Sequence, residues 1–372
     1  MQPYIKKIIA VSFIVYIFLF FFFSIIVKDR NFSELENRLL TSFPSISVLS
    51  IKEGRFMKNF EEYIGDQFPL RDQFISVKSY SELLLQKKDN NGVFIGKDNY
   101  FIQDFKKPDE VQIAKNIEYV NRFAKEFNTY VMIAPTATSI LEEKLPAFAN
   151  PSSELEILEK IETNLASNVK NISLFEALRN KKDEYIYYKT DHHWTTLGAY
   201  YAYLQLCESM NLHPLIKSDF IKTKVSENFY GSLFSKGNFT FATPDSIEIY
   251  EPKRKKPVDI NYVVENKKKN SFYEMSYLDQ KDQYKIFLDS NHPYVTIKTG
   301  AVNNKKLLVV KDSYANCFVP FLAEHFSEIH VIDPRFINES IKKYAEENKI
   351  EDVLILYNVQ NFSSSNTLVW LE

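Results

Sequence analysis

Two short polar segments carry the residue types that acyl-transfer chemistry needs. Asp191 and His193 lie two residues apart, between a tyrosine-rich run and an apolar-periodic run that begins at Leu197. In an extended segment side chains alternate, so Asp191 and His193 would share a face while His192 would point away. A carboxylate beside an imidazole is the orienter and base part of a hydrolytic triad. The missing nucleophile is predicted to be Ser313.

The surroundings of Ser313 suit a nucleophile. Serine reacts poorly at neutral pH and needs a base that a third group holds in one tautomer. The apolar run 307–310 predicts a buried strand and the residues 314–325 a helix. Ser313 would then lie at the carboxyl edge of a sheet, near N–H groups of the helix start. The Asp-His pair would reach this edge if its strand neighbours that of Ser313. The alternative interpretation of Asp312-Ser313 is a plain helix cap.

Composition excludes several classes of protein. With 372 residues, 45% of them hydrophobic, the chain can bury one large core or two modest ones. A net charge of -2 provides no basic field for a nucleic acid. The chain has neither a GxGxxG nor a GxxxxGK[ST] motif, which disfavours nucleotide-binding folds. Cys207 and Cys317 allow at most one disulfide, and their positions leave open whether they pair.

The N-terminus predicts a membrane anchor. The uncharged run from Ile8 to Val27 is long enough to span a bilayer as a helix. No small-x-small cleavage site follows it, so we expect residues 1–30 to be an uncleaved, single-pass anchor. Lys6 and Lys7 favour a cytoplasmic N-terminus, which places the rest of the chain outside the cell membrane.

Four further regions follow the anchor. Residues 31–106 predict a stalk, an amphipathic helix and a hairpin, and 214–300 a β-rich insertion. The regions 107–213 and 301–372 alternate between helix and strand, which implies one α/β domain with a parallel sheet covered on both faces. Its predicted helices are 110–127, 153–169, 195–211 and 338–348, and its predicted strands 129–135, 173–175, 306–310, 329–332 and 353–357.

Two patterns stand out in the stalk. Ser33 and Glu36 match a helix capping box. The run 66–72 (DQFPLRD) ends an amphipathic helix at a proline. Its Arg71 is predicted to form a structural salt bridge, the alternative being an anion-binding role.

The Asp-His-His-Trp run at 191–194 resembles the signature of the DHHW family. This family is similar to alginate O-acetylation proteins that carry an SGNH-hydrolase-like domain. Further matching segments are SELENR at 33–38, DQFPLRD at 66–72, FIGKDNY at 94–100, IAPTATSI and EKLP within 133–146, KDSYAN at 311–316 and IDPRF at 332–336.

The resemblance implies a fold and a site. The fold would be an SGNH-hydrolase-like three-layer α/β/α domain with a mostly parallel sheet. Ser313 would be the nucleophile, His193 the general base and Asp191 its orienter, with no cofactor and no metal. The order Asp, His, Ser differs from typical SGNH hydrolases, which implies a permuted sheet, and Lys311 stands where many relatives have glycine. Candidate substrate-binding residues are Tyr314, Asn316, Arg335 and Tyr357.

The implied activity is transfer of an acyl group, acetyl in the family, to hydroxyls of a cell-surface or secreted polysaccharide. Acetyl donors such as acetyl-CoA are cytoplasmic, so the resemblance also implies a multi-spanning membrane acyltransferase as partner. Three alternatives remain: an esterase with the same triad, a non-catalytic polysaccharide-binding or assembly protein, and a manganese-dependent DHH phosphoesterase. The last is disfavoured because adjacent histidines face opposite ways and chelate one metal poorly.

Overall fold

The computed structural model describes residues 3–33, 35–239 and 241–372 and divides into two compact units. The smaller unit is Met1–Asn90 with Asn238–Thr240, and the larger is Asn91–Gly237 with Phe241–Glu372. The hairpin Val93–Ile95 and Phe101–Gln103 therefore belongs to the larger unit, although the sequence grouped it with the stalk. Its Phe101 is buried, and the Phe101 N–H donates to the carbonyl of Lys189 at 2.7 Å.

The smaller unit is helical. Its first helix, Pro3–Ile26, includes a 23-residue segment with a hydropathy of 2.8, long and apolar enough to cross a membrane. Such a helix is a candidate anchor or signal sequence. The predicted capping box forms a turn instead of a helix start, because the strands Phe32–Ser33 and Arg38–Leu39 pair around it. The remaining elements of this unit are the helices Val48–Lys52, Arg55–Asp66 and Arg71–Leu84 and the short strand Asp89–Asn90.

The larger unit is built on an eight-stranded mixed sheet, of which five strands are parallel. In spatial order the strands are Lys267–Lys269, Val258–Tyr262, Tyr294–Thr299, Glu328–Ile332, Lys306–Lys311, Asp352–Asn358, Asn128–Ala134 and Lys170–Asn171. The first three are antiparallel to their neighbours. Parallel strands end at one edge, and that edge is where ligands gather in α/β proteins.

Each face of the sheet is covered by its own apolar core. Leu307 and Val309 belong to one core, and Leu308 and Val310 belong to the other, as strand alternation requires. The helix Thr196–Ser209 contributes to the first core. The helices Glu110–Phe123, Glu154–Asn164 and Ile341–Glu347 contribute to the second. The remaining helices are Ala137–Ile140, Phe175–Arg179, Ser232–Gly237 and Val359–Ser364.

The stretch 214–300 is rich in strands but is not one separate insertion. Phe220–Phe229 and Asp245–Pro252 pair as a two-stranded ladder, whereas the three strands between 258 and 299 extend the main sheet. They do so because alternate residues such as Ile260 and Ile297 are buried in the first core.

Two predicted elements differ locally. The strand predicted at 173–175 is shifted to Lys170–Asn171, and a helix begins at Phe175. The helix predicted over 314–325 is replaced by two 3₁₀ turns, Ser313–Ala315 and Val319–Glu324. Pro320 explains why a continuous α-helix does not form over 314–325, since proline has no N–H to donate within a helix.

Candidate active site

Ser313, His193 and Asp191 form a continuous chain of hydrogen-bonding contacts. Ser313 Oγ lies 2.7 Å from His193 Nε2, and His193 Nδ1 lies 2.5 Å from Asp191 Oδ1. The serine and the histidine are 120 residues apart in the chain. All three residues are buried, and Ser313 is the most exposed of them at 8%.

The charge of the Asp191 carboxylate determines which atoms donate and which accept in these hydrogen bonds. Burial raises the pKa of Asp191, but the neighbouring His193 and His192 outweigh burial and hold that pKa well below its usual range. An ionised carboxylate can only accept, so Nδ1 of His193 carries the proton. Nε2 of the neutral ring is then the acceptor for the Ser313 hydroxyl. This is the tautomer in which a histidine can act as a general base.

Asp191 is held by backbone contacts. Its Oδ1 accepts from the His193 N–H at 2.9 Å and its Oδ2 from the Ser232 N–H at 2.7 Å. Gly231 lies so close that a Cβ there would be 2.2 Å from the Cβ of Asp191. Residue 231 must therefore be glycine for the carboxylate to keep this position.

The residues just before Asp191 are held in place by a second buried carboxylate, that of Asp245. The carboxylate of Asp245 accepts from the N–H groups of Lys189 and Thr190, both at 2.7 Å, and from the Thr190 hydroxyl at 2.5 Å. It also accepts from the hydroxyl of Tyr185. These contacts hold a bend rather than the extended strand that the sequence suggested. The bend places the base beside Ser313 without any strand of its own in the main sheet.

Asp312 shapes the turn that carries the nucleophile. Its Oδ1 accepts from the Tyr314 N–H at 2.9 Å, as expected of the cap that the sequence offered as an alternative. Its Oδ2 accepts from the N–H of Asn358 at 2.9 Å and from the side-chain amides of Asn358 and Asn361, both at 2.8 Å. Capping and nucleophile presentation are therefore compatible functions of this turn.

The two polar segments are also joined directly. Trp194 Nε1 donates to the carbonyl of Tyr314 at 2.9 Å, and the Tyr314 hydroxyl donates to the carbonyl of His192 at 2.5 Å. The relative position of the base and the nucleophile thus does not depend on their own contact alone. Trp194 and Tyr314 are buried, which shields these hydrogen bonds from water.

Tyr284 packs on the imidazole ring of His193. Its ring stacks on that of His193 with centroids 3.8 Å apart and planes 8° apart. Its hydroxyl donates to the Ser313 carbonyl at 3.1 Å and lies 3.4 Å from Cys317 Sγ. Burial raises the pKa of Tyr284 well above its usual value, so the hydroxyl stays protonated and remains a donor. One residue therefore restrains both the base and the nucleophile turn.

His192 does not point away from His193, as strand alternation had suggested. The two rings lie with centroids 3.8 Å apart, and His192 Nδ1 is 2.6 Å from Ser232 Oγ. Burial, with His193 as a second cause, lowers the pKa of His192 to about 4. A neutral second imidazole avoids charge repulsion when His193 is protonated.

A cavity of about 290 Å³ opens beside these residues. Its volume is at the lower end of the ~300–1,000 Å³ typical of small-molecule pockets. It lies beyond the carboxyl ends of the parallel strands, and most of the residues that line it have polar side chains. Its lining residues are Gln103, Thr136, Ala137, Thr138, His192, Ser232, Leu233, Lys236, Tyr314, Asn358, Gln360 and Asn361.

Of the four predicted substrate-binding residues, only Tyr314 lines this cavity. Asn316 is buried and bonded to Lys311 Nζ at 2.9 Å. Arg335 pairs with Asp333 at 2.6 Å, and Tyr357 is enclosed in the second core. The sequence offered these three as candidate groups near the nucleophile. They are not among the residues that line the cavity, and their part in substrate binding stays a prediction.

Sequence reasoning missed several residues that shape the site. Tyr284, Ser232 and Asp245 all come from the stretch interpreted as an insertion, where no local pattern connects them with the Asp-His segment. Asn358 and Asn361 carried a weak signal, since they follow a predicted strand at the same sheet edge. The cavity is also lined by Thr136 and Thr138, which follow directly on the predicted strand 129–135.

The Asp-His-His run has a second chemical interpretation, as a metal site. Atoms of Asp191, His192 and His193 that could bind a metal lie within 4.8 Å of one another. However, Asp191 Oδ1 already accepts the proton of His193 Nδ1. A metal between them would have to displace that proton and break the contact with Ser313. The geometry therefore favours the hydrogen-bonded triad.

Fold and site together define an α/β protein with a serine, histidine and aspartate arranged as in serine hydrolases. The profile of the DHHW protein family matches residues 93–332. This chain belongs to the DHHW family. No functionally curated protein matches it at comparable significance.

Solved structures give the same assignment of fold. A DHHW family protein from Eubacterium siraeum is 27% identical, with a TM-score of 0.66 over 75% of this chain and 94% of its own. Bacillus cereus PatB1, solved with a sulfonyl adduct, is 22% identical, with a TM-score of 0.64 over 75% and 98%. The O-acetyltransferase domain of Pseudomonas putida AlgJ is 16% identical over 76% and 95%, with a TM-score of 0.47. This last likeness is too loose to carry an inference about activity.

Proposed function

We propose that this protein is a membrane-anchored O-acyltransferase that moves an acyl group, acetyl by family resemblance, onto hydroxyls of an extracytoplasmic polysaccharide. The observation that supports the proposal best is the chain of contacts from Ser313 through His193 to Asp191, next to an open cavity. The polypeptide would be anchored by the helix Pro3–Ile26, and the larger unit would be SGNH-hydrolase-like.

The proposed reaction has two steps. Ser313 Oγ attacks the carbonyl carbon of the donor while His193 Nε2 takes the hydroxyl proton, and the leaving group departs with that proton. A sugar hydroxyl then gives its proton to His193 and attacks the carbonyl carbon of the acyl-serine. The bond to Ser313 Oγ breaks as His193 returns the proton to that oxygen, which restores the free enzyme and releases the acylated sugar. Asp191 stabilises the imidazolium in both steps. Because acetyl donors are cytoplasmic, a multi-spanning membrane acyltransferase would supply the acyl group.

An esterase is the second candidate, because water could replace the sugar at the same acyl-serine. The test is release of acetate and p-nitrophenol from p-nitrophenyl acetate, with and without oligosaccharides, followed by mass spectrometry of the sugars. Acetylated sugar supports transfer, and acetate alone supports an esterase. Ser313→Ala should abolish both reactions.

Ser327→Ala is a suitable control, since Ser327 lies just before the strand Glu328–Ile332, at the opposite edge of the sheet. It should keep full activity. Equal activity of wild type and Ser313→Ala would refute the triad mechanism. It would favour a non-catalytic polysaccharide-binding protein instead.

A further inference from the structure

The turn between the helices Arg55–Asp66 and Arg71–Leu84 takes no part in the proposed chemistry. It belongs to the DQFPLRD run. Leu70 in this turn has φ of +60°, a left-handed conformation that is sterically unfavourable for leucine. Its side chain is also 51% exposed. Both the strained backbone and the exposure of an apolar side chain to water cost free energy. An apolar contact would remove the second of these costs.

Aromatic rings connect this turn to the apolar N-terminal helix. The ring of Phe68 stacks on that of Phe20 with centroids 5.3 Å apart and planes 4° apart. Phe74 lies 5.9 Å from Phe20 and 5.7 Å from Phe68 by the same measure. The three rings form one cluster within the smaller unit.

The position of Phe20 in the apolar helix indicates how far this ring cluster lies from the end of that helix. Phe20 precedes the helix end at Ile26 by six residues, or about 9 Å at 1.5 Å per residue. Helical side chains also tilt toward the N-terminus, so the ring of Phe20 lies no nearer to the helix end than its Cα. A turn that contacts this ring reaches well below the end of the apolar helix.

Polar contacts mark the level at which the apolar helix ends. Arg30 Nη1 pairs with Asp72 Oδ2 at 2.7 Å, and the Arg30 N–H donates to Gln67 Oε1 at 2.9 Å. The Tyr63 hydroxyl donates to Asp29 Oδ1 at 3.2 Å. Asp29 and Arg30 follow directly on the apolar run, so these groups would lie among lipid headgroups while the rings lie deeper.

We propose that Phe68 and Leu70, together with Phe74, insert into the bilayer leaflet nearest the globular part of the chain, beside the helix Pro3–Ile26. This inference rests on the membrane anchoring proposed above. Insertion would remove Leu70 from water and would bring the Phe20 cluster among the acyl chains. The two helices would then rise from the membrane as a wedge with its tip in lipid, which orients the anchor with respect to this unit.

The test is depth-dependent fluorescence quenching on the full chain, reconstituted in vesicles of phosphatidylcholine and phosphatidylglycerol. Leu70→Cys, Leu84→Cys and Phe18→Cys are each labelled with a small fluorophore. Both native cysteines are buried and unpaired, which shields them from the label. Leu84 is the matched control, since it is 85% exposed and about 20 Å from the tip along the same helix.

A phospholipid with a nitroxide near the top of its acyl chain should quench the label at position 70 severalfold more strongly than the label at position 84. Aqueous iodide should give the reverse order. The label at position 18 should follow the lipid quencher, because Phe18 lies within the apolar helix.

The other possible outcomes distinguish failure of the membrane anchoring from failure of the inserted turn. If position 18 is quenched only by iodide, the anchoring itself fails. If position 18 responds to lipid but position 70 responds no more than position 84, anchoring stands and the inserted tip is refuted. A label at position 70 that neither quencher reaches would place protein against the tip and would also overturn the proposal.

Discussion

The ring of Tyr284 lies flat on the imidazole of His193, with 3.8 Å between centroids. This contact excludes water from one face of the base. The same tyrosine binds the carbonyl of the nucleophile through its hydroxyl. One side chain therefore positions the base by stacking and the nucleophile by a hydrogen bond, and substitutions can remove these two interactions separately.

Two substitutions separate these contributions. Tyr284→Phe keeps the ring and loses one hydrogen bond, so we expect a loss of about 1 kcal/mol in stability and less than about tenfold in kcat. Tyr284→Leu removes the stack and should lower kcat by about 10²-fold through misplacement of the base.

Denaturant unfolding and steady-state kinetics with p-nitrophenyl acetate check both variants. Tyr119→Leu, on the helix Glu110–Phe123 against the other core, controls for loss of a large ring. An unchanged kcat in Tyr284→Leu would contradict the proposed restraint of the base by the stacked ring.

The carboxylate of Asp191 fixes the tautomer of the base. Asp191→Asn keeps the shape but allows the opposite tautomer, so kcat should fall by a factor on the order of 10⁴. Steady-state kinetics measure this effect. Asp352→Asn, at the start of the strand Asp352–Asn358, should leave kcat unchanged. A decrease below about tenfold in Asp191→Asn would show that another group orients His193.

Gly231 offers a steric test of the same position. A Cβ at residue 231 would lie 2.2 Å from the Cβ of Asp191 and 2.5 Å from its Oδ2, so the acid must move. We expect Gly231→Ala to lower kcat by about 10²-fold, the usual effect of a displacement near 1 Å. Gly65→Ala is the matched control, since nothing lies within 4 Å of its added methyl group. Equal kinetics for the two variants would argue against a fixed acid.

His192 should make stability depend on pH. Its folded pKa of about 4 lies below the 6.5 of the free side chain, so the unfolded state binds more protons between these values. The free energy of unfolding should therefore fall as pH drops from about 6.5 toward 4. His325 has a pKa that burial also lowers to about 4, and it adds to this dependence.

Urea unfolding at pH 7 and pH 5 tests this prediction. His192→Asn keeps an acceptor near Ser232 but cannot be protonated, so it should lose less stability on acidification than the wild type. His213→Asn, on the surface, should follow the wild type. An unchanged pH dependence in His192→Asn would refute the assignment.

The sequence predicted the parts of the fold that local patterns encode. Apolar runs such as 306–310 and 353–357 are long enough to identify buried strands, and Thr195 caps the helix Thr196–Ser209 through its hydroxyl. The contact of Ser313 with His193 was also foreseeable, since both residue types stood next to predicted element boundaries.

Long-range contacts were beyond reach of the same reasoning. Nothing near Tyr284 in the sequence indicates that its ring covers His193, because the two meet only after the strands around 258–299 join the main sheet. The ion pair of Arg335 with Asp333 is likewise not evident from the sequence, since Asp333 is buried only in the folded chain. Residue type and spacing locate candidate groups, whereas burial decides which of them face the cavity.

The amides that hold Asp312 come from Asn358 and Asn361, which follow it by 46 and 49 residues in the chain. A chain made from its N-terminus would present His193 long before these amides arrive. Reactive geometry at Ser313 would thus be completed only when the final parallel strand docks. Until that moment the growing polypeptide would carry all three reactive side chains without being able to consume its acyl donor.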